Sequence, residues 1–284
     1  MIGSDLTPPS FMSPQPHIHL TLRPAPPLAR YIEQVWYWEG PMASHTRDRI
    51  LPSGCASLII NLAEDEVRDY VGKDHSQIAR HPGAVLIGAY SKFTVIDSSE
   101  QRAVIGVDFK PGGMAPFFDS AADELHNTHV GLRDVWGERG HCLREQVLHE
   151  QTPANRLQRV LRELARRARP LEQRAEIDFL IAQLTISPQQ SVADLSERAG
   201  LSARRISRLF ALQTGLTPKL FARIKRFEQV LRCMHTQERH WSEIAQHCGY
   251  FDQSHLIHEC RELSGCTPEE LQSRRLGLTR HIPL

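Results

Sequence analysis

The feature that most constrains the fold of this chain is an internal repeat in its C-terminal third. The segment "SVADLSERAGLSARRISRLFALQTGLTP" (191–218) matches "HWSEIAQHCGYFDQSHLIHECRELSGCTP" (240–268), at first with an offset of 49 residues and, after one extra residue, of 50. Each copy predicts a short helix, a turn containing glycine, a second helix and a Gly-x-Thr-Pro end. A helix, a tight glycine turn and a second helix form a helix-turn-helix motif, and two copies predict it more strongly than one.

Helical spacing divides the second helix of each copy into an inward and an outward face. The inward face holds Ile206, Leu209 and Phe210 in the first copy and Leu256, Cys260 and Leu263 in the second. The second copy also contains His255, His258 and Cys266, which together with Cys260 suggest zinc ligands. Because the spacing directs Cys260 inward and the two histidines outward, the ligands would not converge. We therefore expect no metal and no cofactor.

The outward faces carry side chains that hydrogen-bond to bases and phosphates. Arginine binds guanine through two hydrogen bonds, and glutamine binds adenine in the same way. We therefore expect DNA contacts from Arg204, Arg205, Ser207 and Arg208 in the first copy and from Gln253, Ser254, His255 and His258 in the second. For any single residue, an ordinary solvated surface is the alternative interpretation.

The segment "TPKLFARIKRFEQVLRCMH" between the two copies predicts a long amphipathic helix, with an apolar stripe that runs from Leu220 to Met234. About 17 helical residues span roughly 26 Å. A helix of that length can separate two recognition helices by about one turn of DNA, near 34 Å. Its polar side holds Arg223, Lys225 and Arg226, which we expect to contact phosphates or simply to be solvated.

The N-terminal half predicts a different kind of structure. Short apolar runs such as "YIEQVWYW", "CASLIINL", "GAVLIGAY", "FTVID" and "RAVIGVDF" alternate with Gly, Pro and Asp, as in the strands of a sheet or small barrel. Further along, "NRLQRVLRELARRARP" places Leu157, Leu161 and Leu164 on one helical stripe, which suits either dimerisation or packing on its own domain.

These patterns predict a multi-domain protein: an α+β, β-rich and barrel-like N-terminal domain, followed by an all-α domain in which a long helix joins two helix-turn-helix units. We expect a disordered tail at 1–17, a sensor domain at 18–150, a helical linker at 151–175, the DNA-binding domain at 176–276 and a C-terminal tail at 277–284. Strand signals are nearly absent after residue 175.

Composition limits the class of protein. A net charge of +1 hides clusters of arginine and lysine in the last third, where phosphate contacts would form. No apolar run is long enough to predict a membrane span, and the N-terminus lacks the pattern of a signal peptide. Six scattered cysteines without a C-x-x-C pair suit a reducing compartment, so we expect the cytoplasm.

From about 190 to 275 the chain resembles the DNA-binding domain of AraC/XylS-type bacterial transcription regulators. The resemblance rests on "LSERAGLSARRISRLFALQTGLTP", on the basic linking helix and on "IAQHCGYFDQSHLIHECRELSGCTPEEL". It implies that the two units insert into successive major-groove segments on one face of DNA. Cys260 stands where the family usually has phenylalanine, so we expect weaker binding through the second unit.

The N-terminal elements resemble an uncharacterised sensor-type domain often found ahead of such DNA-binding domains, which implies ligand sensing, dimerisation or both. Trp36 and Trp38, taken to lie on alternate faces of a strand, and Arg49 are candidate ligand-binding residues. No catalytic constellation is visible, and we expect no enzymatic activity and no catalytic residue.

We therefore expect a sequence-specific DNA-binding transcription regulator that couples an unknown signal at the N-terminal domain to promoter binding. The expected partners are double-stranded promoter DNA and a small-molecule effector, with RNA polymerase and a second copy of the chain as further candidates and no membrane. A metal- or thiol-responsive regulator that uses the Cys and His residues is the alternative function, and it requires cysteines that are exposed and mutually close.

Overall fold

The computed structural model describes residues 17–41, 46–72, 74–170, 174–236, 240–274 and 281–284. Residues 1–16 of the predicted N-terminal tail and residues 277–280 of the predicted C-terminal tail lie outside the described residues.

Strands of the described residues form two antiparallel sheets. The first sheet has the order β1 (Ile18–Leu22), β2 (Ile32–Glu39), β9 (Ala103–Phe109), β4 (Ser57–Asn61), β7 (Ala84–Ile87) and β10 (His129–Gly131). The second has the order β11 (His281–Pro283), β3 (Arg47–Ile50), β8 (Thr94–Asp97), β5 (Glu66–Val71) and β6 (Gln77–Pro82). The five apolar runs of the sequence correspond to β2, β4, β7, β8 and β9.

Three helices follow the last strand of the N-terminal region: α1 (Leu132–Trp136), α2 (Glu138–His149) and α3 (Pro153–Arg167). Helix α3 begins where Thr152 accepts a hydrogen bond from the backbone N–H of Asn155, as expected of an N-cap. Its apolar stripe, including Leu157 and Leu164, is buried in the same core as strands β2 and β9. Within the segment expected to be a linker, this stripe therefore packs on its own domain.

The C-terminal region is helical and contains both predicted units. Its helices are α4 (Ala175–Ile186), α5 (Val192–Arg198), α6 (Ala203–Thr214), α7 (Pro218–Thr236), α8 (Trp241–His247), α9 (Gln253–Ser264) and α10 (Pro268–Arg274). Helices α5 and α6 form the first helix-turn-helix unit, α8 and α9 form the second, and α7 joins them. This arrangement, behind a β-rich domain, confirms the predicted fold class.

Matching residues lie at the start of the second helix in each unit. Ser202 and Asp252 are the N-caps of α6 and α9, and each side chain accepts a backbone N–H from the first turn. The turns before these helices use Gly200 and Gly249, with φ values of 68° and 76°. The repeat in the sequence is therefore a repeat of local geometry as well.

The cores of the two units follow the predicted faces with one exception. Ile206 and Phe210 are fully buried in the first unit, and Leu256 and Cys260 are fully buried in the second. Leu209, predicted to face the core, is only partly buried at its margin. No helix in the described part of the chain is both long enough and apolar enough to cross a membrane.

The N-terminal and C-terminal regions of the chain contact each other through a paired strand and a shared apolar core. Strand β11 pairs antiparallel with β3, with Ile282 opposite Arg49. The expectation that strands are nearly absent after residue 175 therefore misses one strand, because three residues carry no periodicity that distinguishes a strand. Leu51, Ala89 and Ile282 are also buried in the core of the helical region.

Candidate nucleic-acid interface

The first recognition helix, α6, presents arginines on its solvent side. Arg204, Arg205 and Arg208 are exposed, whereas Ser207 is half-buried. The three arginines line an open depression that also includes Ser202 and, from the residue before α4, Arg174. Four guanidinium groups around one concave surface attract the phosphates of nucleic acid. Arg174 was not predicted, because it lies outside the repeat.

The second recognition helix, α9, has a more neutral outward face. Gln253, Ser254 and His258 are exposed near its N-terminal half, the part of a recognition helix that usually meets the bases. His255, predicted to point outward, is half-buried: its ring packs edge-on against Tyr250 at 5.2 Å, and its Nδ1 accepts the backbone N–H of Phe251 at 3.3 Å. His255 therefore supports the turn before α9.

Phe251 is a further candidate that was not predicted from the sequence. Its side chain is 93% exposed and lies immediately before the N-cap Asp252, whereas its neighbour Tyr250 is buried. An exposed aromatic side chain at the start of a recognition helix can contact a thymine methyl group or a sugar. The signal in the sequence is the pair of adjacent aromatic residues in the turn, of which only one can enter the core.

Arg223 and Lys225 do not occupy the solvent-facing positions predicted for α7. The Arg223 guanidinium donates hydrogen bonds to Glu259 at 2.9 Å and to Glu262 at 2.6 Å, and these hydrogen bonds raise the pKa of Arg223 above its ordinary value. Lys225 is buried, and its Nζ donates to the carbonyl of Ser53 at 3.0 Å. The prediction that Lys225 lies on the polar side of α7 is therefore wrong.

Arg226 keeps a position from which it can reach DNA. It is half-buried, its guanidinium lies 5.2 Å from the centre of the Tyr250 ring, and it lines a second open depression together with Lys219. Lys219 is exposed at the start of α7 and was not predicted. Arg226 lies beside the turn of the second unit, because it also donates to the Gly249 carbonyl at 3.5 Å.

The cysteines of the second unit are buried side chains of the core. Cys248, Cys260 and Cys266 are at most 2% exposed, and burial raises the pKa of Cys260 to about 12. Within the described ranges, the groups of Asp, Glu, Cys and His close enough to hold an ion contain no cysteine. A thiol that stays protonated and buried is a poor nucleophile and a poor metal ligand.

The three candidate ligand-binding residues of the N-terminal domain lie in two places. Trp36 and Trp38 share one face of β2, on either side of the buried Tyr37, so the interpretation that placed them on alternate faces is wrong. The Trp36 ring covers Gly106, where an added Cβ would lie 2.1 Å from it. Arg49 lies elsewhere, at the contact between β3 and the end of α9, where its Nη1 donates to Sγ of Cys266 at 2.7 Å.

Two regions of the chain are similar to known protein families. Residues 20–131 match the family model described as a domain of unknown function (DUF6597), and residues 195–274 match the model of a helix-turn-helix domain. The chain is 33% identical over 82 residues to the probable transcriptional regulator LumQ of Photobacterium leiognathi. It is 34% identical over 98 residues to the uncharacterized HTH-type transcriptional regulator YidL of Escherichia coli (strain K12).

These relatives are matched only in part. The matches cover 29% and 34% of this chain and 33% of each relative. Among solved structures, unsaturated fatty acid-bound ToxT from Vibrio cholerae gives a TM-score of 0.45 at 10% identity, over 92% of this chain and 96% of that chain. The matches, together with the two capped recognition helices, show that residues 195–274 form a helix-turn-helix domain, which follows a region similar to the domain of unknown function DUF6597.

Proposed function

We propose that this protein is a sequence-specific DNA-binding regulator of transcription whose N-terminal domain controls both helix-turn-helix units. The observation that carries the proposal is the pair of capped recognition helices, α6 and α9, whose N-terminal halves expose arginine, glutamine, serine and histidine side chains. Such side chains in that part of a recognition helix read base edges in the major groove. The matched relatives, both named as transcriptional regulators, support the proposal.

The exposed and half-buried polar side chains divide into two proposed groups. Base contacts come from Arg204, Ser207 and Arg208 in the first unit and from Gln253, Ser254 and His258 in the second, and Phe251 adds an apolar contact. Phosphate contacts come from Arg205 and Arg226, together with Arg174 and Lys219. Arg223 and His255 hold neighbouring elements in place, because their polar groups are bonded within the protein. This division predicts which variants change sequence preference and which only weaken binding.

Contact with the N-terminal domain at equivalent points of both units supports the proposed control. The recognition helices end at Gly215 and Gly265, both in the left-handed backbone conformation. An added Cβ at Gly215 would lie 2.8 Å from the carbonyl oxygen of Ala122, and one at Gly265 would lie 2.8 Å from the Phe93 ring. Because one domain contacts the same point of both units, a change within it can alter their relative orientation, and with it their fit to two adjacent major-groove segments.

The proposed partners follow from this arrangement. Double-stranded promoter DNA contacts the two recognition helices, and a small-molecule effector binds the N-terminal domain. RNA polymerase and a second copy of the chain are further proposed partners, and the cytoplasm is the proposed location. The function includes no catalysis. The alternative of a metal- or thiol-responsive regulator is not favoured for the cysteines of the second unit, because these three side chains are buried.

The first experiment is selection of genomic DNA fragments by the purified full chain, followed by sequencing of the fragments retained at moderate salt. We expect a few sites that share two short motifs about one helical turn apart, near 34 Å. Retention of random fragments alone would contradict sequence-specific binding. The recovered site then serves as the probe for single variants.

Among these variants, Arg208→Ala best distinguishes a base contact from a general loss of affinity. Loss of a bidentate base contact is expected to cost about 1–3 kcal/mol on the selected site and to relax base preference at one position. Arg162→Ala, which removes an exposed arginine of α3 in the N-terminal domain, is the matched control and should leave both affinities unchanged. Equal losses of affinity on selected and random DNA for Arg208→Ala would contradict its base-reading role.

A further inference from the structure

Three side chains with metal-ligating atoms meet where the two sheets of the N-terminal domain approach each other. Asp69 belongs to β5, His81 to β6 and His129 to β10, and one ligand atom from each lies within 4.8 Å of the others. Strands β6 and β10 are the outermost strands of their respective sheets. The cluster therefore connects the edges of the two sheets and shares no residue with the proposed DNA contacts.

The distances within this cluster are close to those of a coordinated ion. Nε2 of His81 lies 2.8 Å from Oδ1 of Asp69, and Nδ1 of His129 lies 3.8 Å from Oδ2 of the same carboxylate. In a tetrahedral zinc site, metal–ligand bonds of about 2.1 Å separate the ligand atoms by roughly 3.4 Å. The two observed separations bracket this value. The imidazoles of His81 and His129 are stacked, with ring centroids 4.8 Å apart and planes 23° apart, so a rotation of at least one ring is required before both direct a nitrogen at the same ion.

The burial of the cluster favours a cation. The side chains of Asp69 and His129 are 7% and 3% exposed, and a buried carboxylate is costly unless a positive charge compensates it. Across the described ranges, the ion-pair partners of Asp69 are the two imidazoles.

We propose that Asp69, His81 and His129 bind one divalent first-row transition-metal ion, with Zn²⁺ as the representative. Two imidazoles and one carboxylate suit such an ion better than Mg²⁺ or Ca²⁺, which bind mainly to oxygen ligands. The His81 side chain is 21% exposed and provides the path of entry. Three protein ligands leave a fourth coordination position for water.

The segment 88–93, which we call the bridging segment, connects this site to both helix-turn-helix units. In its middle, the Tyr90 hydroxyl is hydrogen-bonded to Nδ1 of His129 at 2.8 Å. Near one end, Ala89 is buried in the core of the helical region, beside Gly215. At the other end, the backbone N–H of Phe93 donates to the carbonyl of Leu263 in α9 at 2.9 Å.

A metal ion coordinated by Nδ1 of His129 displaces the hydrogen bond to Tyr90 and thereby releases the middle of the bridging segment. The ion is then the signal, or part of the signal, that reaches the two recognition helices. This step rests on the proposed function, whereas the metal site itself does not. The site contains no cysteine and no residue of the second helix-turn-helix unit.

The binding test is titration calorimetry of Zn²⁺ into the chelator-treated full chain. We expect one site with a dissociation constant in the micromolar range or below. His81→Ala and Asp69→Asn should each weaken binding about tenfold or more. His141→Ala, which removes an exposed histidine of α2, should not change it. Zn²⁺ should also raise the melting temperature of the wild-type protein and of His141→Ala, but not that of the other two variants.

The variant Tyr90→Phe tests the site without removing a metal ligand. This test therefore remains valid even if a ligand variant fails to fold. Because no hydrogen bond to His129 has to be broken, this variant should bind Zn²⁺ severalfold more tightly than the wild-type protein. Absence of Zn²⁺ binding to the wild-type chain would overturn the proposal and leave the cluster as a structural ion pair. Unchanged binding in both His81→Ala and Asp69→Asn would overturn it too, and would assign the ion to other histidines.

The coupling has its own measurement, amide hydrogen exchange of Phe93 with and without Zn²⁺. Faster exchange in the wild-type protein, absent in His81→Ala, is expected if the bridging segment is released. Exchange that Zn²⁺ does not change would overturn the coupling. Affinity for the selected DNA site should then shift severalfold with Zn²⁺ in the wild-type protein. Failure to bind any DNA would contradict the proposed function alone, because calorimetry and exchange judge the metal site separately.

Discussion

Nη1 of Arg49 in β3 donates a hydrogen bond to Sγ of Cys266, which follows α9 and lies 217 residues further along the chain, at a distance of 2.7 Å. The same guanidinium lies 4.7 Å from the centre of the Phe93 ring. One side chain of the N-terminal domain is thus held between the bridging segment and the end of the second recognition helix.

Arg49→Ala is expected to loosen this contact locally. The backbone N–H of Phe93, which donates to Leu263, should exchange with solvent at least several times faster, because neither the cation–aromatic contact nor the hydrogen bond to Cys266 remains. The amide of Val107, in the middle of the first sheet, is the internal control and should keep its protection. Equal acceleration at both amides would indicate global destabilisation and contradict a local role for Arg49.

Two glycines that share a backbone conformation but not an environment allow a matched comparison. Gly200 and Gly215 have φ values of 68° and 82°, yet a Cβ at Gly200 would meet nothing within 4 Å, whereas one at Gly215 would lie 2.8 Å from the Ala122 carbonyl oxygen. Gly200→Ala should cost only the backbone strain, about 1–2 kcal/mol. Gly215→Ala should cost more, because it also forces the helical region away from Ala122. Urea unfolding measures both, and equal costs would contradict the contact at Gly215.

Arg223 and Arg226 lie less than one turn apart on α7 but should respond differently to removal. Arg226→Ala, if Arg226 contacts a phosphate, should weaken binding to selected and random DNA alike and lower the salt slope of binding by about one. Arg223→Ala should leave the salt slope unchanged. It should instead lower the free energy of unfolding by about 3–5 kcal/mol, because it leaves the carboxylate of Glu259, only 6% exposed, without its ion-pair partner. Identical salt slopes for wild-type protein and Arg226→Ala would contradict the phosphate contact.

Glu100 is expected to make stability depend on pH. Its side chain is fully buried, and burial raises its pKa from 4.5 to about 7 despite the hydrogen bond from Nε of Arg68 at 2.9 Å. Between these two values the folded protein binds more protons than the unfolded chain, so the contribution of this group to stability is present below pH 4.5 and is lost as the pH rises towards 7.

The loss amounts to as much as about 3 kcal/mol. Glu100→Gln removes the titrating group while Arg68 keeps its ion pairs with Glu64, Glu66 and Asp97. The difference in unfolding free energy between wild-type protein and variant should therefore change in this pH window and be constant above it. A difference that is flat from pH 4.5 to 7 would contradict the raised pKa.

The sequence allowed the helices of the C-terminal region to be predicted because they carry their signals locally. Ser202, Asp252 and the two turn glycines cap helices whose apolar residues recur with helical spacing. In the N-terminal region, strands with continuous apolar residues were predicted and polar ones were not. Strand β6, for example, reads "QIARHP" and has no buried residue. A strand of that kind is fixed by its neighbour β5 rather than by its own composition.

The candidate interface was predictable to the extent that exposure follows from helical spacing. The roles of Arg223 and Lys225 were not, because both depend on partners that only the tertiary fold brings near: Glu259 and Glu262 for the former, and the carbonyl of Ser53 for the latter. Arg174 was missed for the converse reason, since it lies outside the recognition helices and becomes a neighbour of the predicted arginines only in the folded protein. Lys219 could have been found from the sequence, because it precedes Arg226 by seven residues on α7, a spacing that places both on one helical face.

Strands β3 and β11 are neighbours in one sheet, although the whole helical region lies between them in the sequence. Until residues 281–283 have left the ribosome, the side of β3 that faces away from β8 has no partner strand, although β3 was synthesised more than two hundred residues earlier. An edge strand left unpaired for that long is a site at which nascent chains can associate with one another. Synthesis of this protein is therefore expected to be more sensitive to deletion of residues 281–283 than their small share of the core suggests, and the damage would appear as aggregation during translation.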